Sequence, residues 1–315
     1  DLKRLPWRSI GPAAMGGRVS DLCFKPGDPK PFYVAYAAGG LWRTTNRGTT
    51  FEPIFDKVTD TSCLGSVTAV PIPKKKGEEP AYRIWVGTGE GNGRNSSSWG
   101  HGVYRSDDGG KTWTHCGLAE THDVPRLATD PRDPDVCYAA ALGHLWGPNQ
   151  ERGLYKTSDG GQTWSLVLAG DADTGCCDVL VDPNEPDTVF AAMYYRRRSP
   201  WSFKSGGENG GLYRSKDGGK TWKKLTKGLP GSTGRFGLDV FAKDTKKLIA
   251  VIESTQDGAN SIRDDRMRGG GVFRSDDGGD TWRRLSVRSP RAFYFSKIKF
   301  DPKDDQRVYM LGWTI

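Results

Sequence analysis

The 315-residue chain carries 46 Lys and Arg against 38 Asp and Glu, a net charge of +8, and only 35% of it is hydrophobic. No apolar run approaches the roughly 18 residues of a membrane-crossing helix, so no transmembrane segment is expected. The basic excess attracts anions of any class, but no nucleic-acid module is present, which excludes that partner.

Taken in order, the polar opening at Asp1 is that of a processed mature chain, and Pro6-Trp7-Arg-Ser-Ile10 reads as a strand. A turn at Lys25-Pro-Gly-Asp-Pro-Lys30 leads to Gly39-Gly-Leu-Trp-Arg-Thr-Thr45, which runs into Thr44-Thr-Asn-Arg-Gly-Thr-Thr-Phe51. That last segment is the eroded first copy of a repeat. Ser106-Asp-Asp-Gly-Gly-Lys-Thr-Trp113 follows, then Thr157-Ser-Asp-Gly-Gly-Gln-Thr-Trp164, Ser215-Lys-Asp-Gly-Gly-Lys-Thr-Trp222 and Ser275-Asp-Asp-Gly-Gly-Asp-Thr-Trp282. The closing aromatics fall at 51, 113, 164, 222 and 282, a period that marks a repeat architecture. Each copy sits between short β-type runs and reads as a hairpin, with Asp accepting backbone N–H bonds and Gly supplying positive φ. Upstream of the hairpins, Arg126 to Tyr138, Asp178 to Phe190 and Lys297 to Tyr309 read as strand, Asp-containing turn, strand.

Every unit thus holds four antiparallel strands, A to D, the blade of a β-propeller. The expected fold is all-β: blade 1 at about 17–56, blade 2 at 62–118, blade 3 at 124–170, blade 4 at 176–228, blade 5 at 234–287, and the start of a sixth at 294–315. Five complete blades and a partial one are expected to form part of a larger ring, with Pro6 to Ile10 as a D strand suited to closing it.

The repeated Ser-x-Asp-x-Gly-x-Thr-Trp sequence resembles the Asp-box, or BNR repeat, of sialidases, xyloglucanase-type glycosidases and sortilin-type propellers. The opening Trp7-Arg-Ser-Ile-Gly-Pro-Ala-Ala-Met-Gly-Gly-Arg18, with Gly39 to Thr45, is similar to large bacterial sortilin-like proteins labelled glycosyl hydrolases. The resemblance implies an extracytoplasmic propeller in which Asp108, Asp159, Asp217, Asp277, Trp113, Trp164, Trp222 and Trp282 are structural.

Antiparallel alternation puts the A–B and C–D turns, Asp-boxes included, on a lower face. The long loops fall on the upper face, at Gly89 to His101, Gly143 to Arg152, Tyr194 to Lys204 and Ser254 to Gly270. Three groups of candidates arise. His101, His122 and His144 are expected to converge on the junction of blades 2 and 3, beside Asp123 and Glu90, as satisfied structural residues or as a metal or acid–base site. Trp99, Trp146, Trp201, Tyr194, Tyr195, Arg94, Arg152, Arg196, Arg197 and Arg198 form an aromatic and basic surface able to stack on sugars and clamp anions. Asp21, Asp178 and Asp239 lie on inner strands, where they either hydrogen-bond adjacent blades or supply a glycosidase's carboxylates.

A sialidase site, which needs an arginine triad, cannot be assembled: Arg4-Leu5-Pro6 matches only three residues, and Arg18 and Arg126 stand at inequivalent positions ahead of their turns. The acid pair of xyloglucanase-type enzymes cannot be mapped either. The six cysteines show no disulfide framework, and free thiols are expected over a Cys176–Cys177 bridge. The sequence therefore reads as a non-catalytic propeller that binds a protein or glycan partner, anionic in kind, through its upper face and without a cofactor. The alternative is a glycoside hydrolase using channel carboxylates. Oligomeric state is not set by the sequence.

Overall fold

The computed structural model describes residues 17–73, 81–254, 269–289, 293–294 and 296–312. The segments Arg4 to Pro6 and Pro6 to Ile10, and most of the Ser254 to Gly270 loop, lie outside the described residues.

The described chain is an all-β propeller of antiparallel sheets. Blade 1 is β1 (Val19–Lys25), β2 (Asp28–Tyr36), β3 (Gly40–Thr44) and β4 (Glu52–Pro53), and blade 2 is β5 (Leu64–Ile72), β6 (Ala81–Thr88), β7 (Val103–Ser106) and β8 (Thr114–His115). Blade 3 is β9 (Arg126–Asp130), β10 (Asp133–Ala141), β11 (Gly153–Thr157) and β12 (Ser165–Ala169). Blade 4 is β13 (Thr174–Val181), β14 (Val189–Ser199), β16 (Gly211–Ser215) and β17 (Lys223–Leu225), with an added β15 (Ser202–Ser205). Blade 5 is β18 (Thr233–Val240), β19 (Leu248–Ser254), β20 (Gly271–Ser275) and β21 (Arg283–Ser286); β22 (Ile298–Phe300) and β23 (Val308–Met310) begin a sixth. Within each complete blade the four strands pair in chain order, as short turns require. No helix of the described residues is long and apolar enough to cross a membrane, which says nothing about spans built of strands.

The repeated turn explains itself atom by atom. Ser106 Oγ donates to Asp108 Oδ1 at 2.8 Å and accepts from the Gly110 N–H at 2.8 Å. Asp108 Oδ1 accepts from the Lys111 and Thr112 N–H groups, both at 2.9 Å, and its Oδ2 from the Thr112 hydroxyl at 2.6 Å. Gly109 and Gly110 take φ of 75° and 89°, a region that favours glycine. Asp159, Asp217 and Asp277 accept from Thr163, Thr221 and Thr281 in the same way. In the eroded copy Asn46 substitutes for Asp, accepting from the Thr50 N–H at 2.9 Å, and Arg47 sits at φ 58° where the others have glycine.

Packing between blades supplies the core. Four of five buried apolar clusters draw on two consecutive blades, as where Tyr33, Leu41 and Phe55 of blade 1 meet Leu64, Ile84 and Tyr104 of blade 2, and the fifth joins blades 4 and 5 with Leu142 of blade 3. Trp113 and Trp164 donate their indole N–H to the preceding blade, at Ile54 O (3.0 Å) and Cys116 O (2.6 Å). Trp222 and Trp282 bond within their own turns instead, to Gly219 O and Gly279 O at 3.1 Å. Polar straps repeat as well. Arg43, Arg105, Lys156 and Arg214, one from the third strand of each of blades 1 to 4, donate to the first-glycine carbonyl of the next blade's turn, at Gly109, Gly160, Gly218 and Gly278. All six cysteines are free thiols and five are buried.

Candidate functional site

Among the described residues, two openings on the upper face concern the candidates. The first, of about 280 Å³, is lined by Ser97, Ser98, Trp99, His122, Asp123, His144, Leu145, Trp146 and Gly147. Its walls are the β6–β7 and β10–β11 loops, and its floor is the link from β8 to β9. That link turns sharply through Ala119–Thr121 and puts His122 at φ 56°, a strained value for a residue with a Cβ. The turn is held because the Gly100 N–H donates to His122 O at 2.8 Å and because Gly89 leaves no side chain to strike it; a Cβ there would fall 2.1 Å from that oxygen.

The rings form a continuous stack. His122 lies 3.6 Å from His144 and 5.9 Å from Trp99, centroid to centroid, with interplanar angles of 22° and 24°. Burial, with the adjoining His144 ring adding to it, lowers the His122 pKa, so His122 favours its neutral form. Trp99 is 66% and Trp146 46% exposed, presenting apolar ring surface beside this pocket. Below it Asp123 is ion-paired to Arg196, which is wholly buried. Burial outweighs the arginine and pushes Asp123 up to about 6.

These positions correct several expectations. His101 does not join the other two histidines: it stacks on His115 at 4.7 Å, and its Nδ1 bonds the Tyr104 hydroxyl at 3.0 Å. No three His, Cys, Asp or Glu among the described residues stand together as metal ligands. Arg196 is no surface clamp, since beyond Asp123 it donates to Gly143 O at 2.9 Å and Gly91 O at 3.3 Å. Arg152 is buried too. It knits its own loop by donating to Leu142 O (2.5 Å), His144 O (2.6 Å) and Gly147 O (3.0 Å), and burial beside Arg196 lowers its pKa to about 10. Tyr194 is buried with its hydroxyl on Ser205 Oγ at 2.7 Å.

The remaining candidates ride on a hairpin that the sequence reads as a loop. Strand β14 runs on to Ser199 and returns through β15. Arg197 pairs with Asp173 at 2.5 Å. Arg198 reaches blade 2, donating to Asn95 Oδ1 at 2.5 Å and Gly93 O at 2.9 Å, while its guanidinium lies 4.4 Å from the Phe203 ring centre. The hairpin is thereby fastened to the β6–β7 loop, with Trp201 85% exposed at its tip. Tyr195 and Arg94 are half-buried at the flanks.

The second opening, of about 350 Å³, lies at the mouth of the central channel and includes Arg18, Ser20, Glu90, Asn92, Arg235, Tyr294, Ser296 and Lys297 in its lining. Glu90 is gripped by Arg18 through two bonds of 2.9 and 2.6 Å. The inner-strand carboxylates hold blades together. Asp21, Asp178 and Asp239 accept from the Val67, Leu238 and Phe300 N–H groups at 3.4, 2.9 and 2.8 Å, each in the next blade. Arg126 stands between Asp21 (3.3 Å) and Asp178 (3.4 Å), and Lys299 pairs with Asp239 at 2.6 Å. Engaged in this way, the three do not form a pair of carboxylates free to act on a ligand.

Comparison with known proteins places the chain. The Sortilin-Vps10 family model ("Sortilin, neurotensin receptor 3") matches residues 101–267. A probable oligoxyloglucan-reducing end-specific xyloglucanase of Neosartorya fischeri is 30% identical over 215 residues, covering 66% of this chain and 22% of that protein. A xyloglucanase of Hypocrea jecorina is 23% identical over 311 residues, covering 92% of this chain and 35% of that protein. The chain therefore spans about a fifth to a third of the length of these relatives. The GH74 enzyme of Niastella koreensis superposes with a TM-score of 0.63 at 20% identity, over 93% of this chain and 44% of that one, a likeness of fold. Enzymes named for cutting a glycan overturn the expectation of a non-catalytic binding propeller and favour its alternative, a glycoside hydrolase.

Proposed function

The chain belongs to the Sortilin-Vps10 family, and from that premise and its xyloglucanase relatives we propose that it forms part of a glycoside hydrolase acting on a β-glucan of the xyloglucan type. The observation that carries this is the sequence kinship with those enzymes. The upper face supports it. A neutral polysaccharide offers apolar C–H faces and hydroxyl edges, and Trp99, Trp146 and Trp201 offer broad rings to the former. Three exposed tryptophans on successive blades suit an extended polymer better than a small molecule, and a polymer substrate implies action outside the cytoplasm.

Hydrolysis needs two carboxyl groups, about 5–5.5 Å apart for retention or about 6.5–9.5 Å for inversion. Glu90 is the carboxylate among the described residues that lines the channel mouth, and Arg18 grips both its oxygens there, so the acid–base pair is not assigned to described residues of this chain. The test is incubation of the protein with xyloglucan, scored for new reducing ends and separately for retention on immobilised xyloglucan. Retention is expected, with Trp99→Ala and Trp146→Ala weakening it, and release marks the catalytic pair as present in this chain. Absence of both activities in folded protein would overturn the proposal.

A further inference from the structure

The channel holds one cation that the described residues leave without a salt bridge and another that shares its partner. Along the inner strands and the mouth, Asp21, Asp178, Asp239, Glu90 and Glu253 stand against Arg18, Arg126, Arg235, Lys297 and Lys299. Arg18 is satisfied by Glu90, Arg126 by Asp21 and Asp178, and Lys299 by Asp239. Arg235 and Lys297 are left.

Arg235 is buried, yet no described carboxylate forms a salt bridge with its guanidinium. Its Nη1 donates to Asn92 Oδ1 (2.6 Å), Phe293 O (3.1 Å) and Tyr294 O (3.2 Å), all uncharged, and its Nε has no partner among the described residues. The nearby Glu253 is occupied by the Arg235 main-chain N–H at 3.0 Å and Ser205 Oγ at 2.7 Å, and burial raises its pKa, which favours the neutral form. Among the described residues Lys297 forms one salt bridge, to Asp21 at 3.8 Å, a carboxylate already shared with Arg126. Its enclosure, with Arg126 and Arg235 close by, lowers its pKa. A buried cation such as Arg235 without a described counter-charge is costly, and an anion arriving between it and the half-buried Lys297 would meet both.

We propose that the channel mouth is a carboxylate-binding site in which Arg235 and Lys297 clamp the acid group of a sugar acid. Both line one opening of about 350 Å³, within the range of small-ligand sites. Ser20, Asn92 and Ser296 add polar edges suited to hydroxyls. A charge-assisted pair of donors in a partly desolvated cleft recognises a carboxylate more strongly than a neutral group. The choice of a sugar acid over another carboxylate rests on the glycan reading above; the anion site itself does not.

Calorimetric titration of the protein at constant ionic strength, with D-glucuronate, D-glucose and sodium sulfate as probes, tests this. Glucuronate is expected to bind at least about tenfold more tightly than glucose, the worth of one charge-assisted hydrogen bond, with sulfate a weaker competitor. Lys297→Met is expected to lower glucuronate affinity by about tenfold; it keeps the buried Arg235 network intact, and an unchanged melting temperature verifies the fold. Equal binding of glucose and glucuronate, or full affinity in folded Lys297→Met, would overturn the proposal. Sulfate binding as tightly as glucuronate would overturn the sugar-acid assignment. Retention on xyloglucan is read at the tryptophans, so loss of glucuronate binding with retention intact removes this inference alone.

Discussion

The two faces of the propeller are built on opposite principles. On the lower face four turns repeat one set of bonds: a Ser or Thr hydroxyl to Asp, that Asp to a following Thr, and an Arg or Lys strap to the next blade. Among the described residues no two upper-face loops are alike. The β6–β7 loop gives Trp99 to a ring stack completed by His122 and His144, the β10–β11 loop that carries His144 is knitted by Arg152, and the third is a hairpin that crosses from blade 4 to blade 2. Repetition secures a ring of similar blades. Departure from the repeat makes the openings in which a ligand sits.

The division is not clean, and the largest expected effect shows where it fails. Arg196 and Asp123 form a buried pair on the upper face, and removing one partner strands the other's charge. Arg196→Met is expected to cost about 3–5 kcal/mol, read as the shift in denaturant midpoint. A loss below about 1 kcal/mol would mean that the pair behaves as a surface bridge. Replacing Arg196 to Arg198 together would for the same reason unfold the protein rather than probe binding. On the lower face, Asp108→Ala removes the acceptor of four turn bonds and is expected to cost about 1–3 kcal/mol. Retention on xyloglucan should survive in the folded fraction. A stable variant that no longer binds would move function to the lower face.

A smaller effect has opposite signs on the two faces. Desolvation opposes it, but hydrogen bonds from Thr112 and Ser106 hold the Asp108 pKa down to about 2, and those from Thr281 and Ser275 do the same for Asp277. Their stabilisation is present above the unfolded value of about 3.9 and is lost as pH falls through about 2. Asp123, pushed up to about 6 by burial, binds a proton more readily folded than unfolded. Its contribution grows as pH falls from about 6 to about 4 and is withdrawn as pH rises again. Melting temperatures of Asp123→Asn and wild type between pH 7 and pH 4 should differ in slope, the variant lacking the gain. Parallel slopes would show that Asp123 keeps its ordinary affinity for protons.

The lower face was legible because its information is local. A turn eight residues long carries its own donors, acceptors and glycines, and four copies verify one another. Even the straps stand in the repeat, as the Arg or Lys after each Tyr (Arg105, Lys156 and Arg214), though their reach to the next blade shows only in three dimensions. The upper face was legible in position and in its tryptophans but not in its pairings. Arg196 and Asp123 are 73 residues apart and Arg18 and Glu90 are 72 apart, and no periodicity links them. Adjacent arginines at 196, 197 and 198 looked equivalent, yet strand alternation buries the first, pairs the second with Asp173 and sends the third to blade 2. Lys297 went unnoticed because a lone lysine at a strand entrance carries no signal until its neighbours in space are known.

The smallest expected change in stability belongs to Trp201, and it isolates function most sharply. The indole is 85% exposed at the tip of the β14–β15 hairpin, whose anchorage lies elsewhere: in Arg198 against Phe203, Gly93 and Asn95, and in the Phe203 ring against Phe293 at 5.5 Å. Trp201→Ala should therefore shift stability by no more than about 0.5 kcal/mol, as for other surface changes. The same substitution removes one of three exposed rings from the face assigned to the polymer. Retention on xyloglucan should fall several-fold while the melt stays in place, and Trp201→Phe, which keeps a ring, should recover part of it. Unchanged retention in Trp201→Ala, with Trp99→Ala still impaired, would confine the glycan to blades 2 and 3 and leave the hairpin only its bracing of the β6–β7 loop.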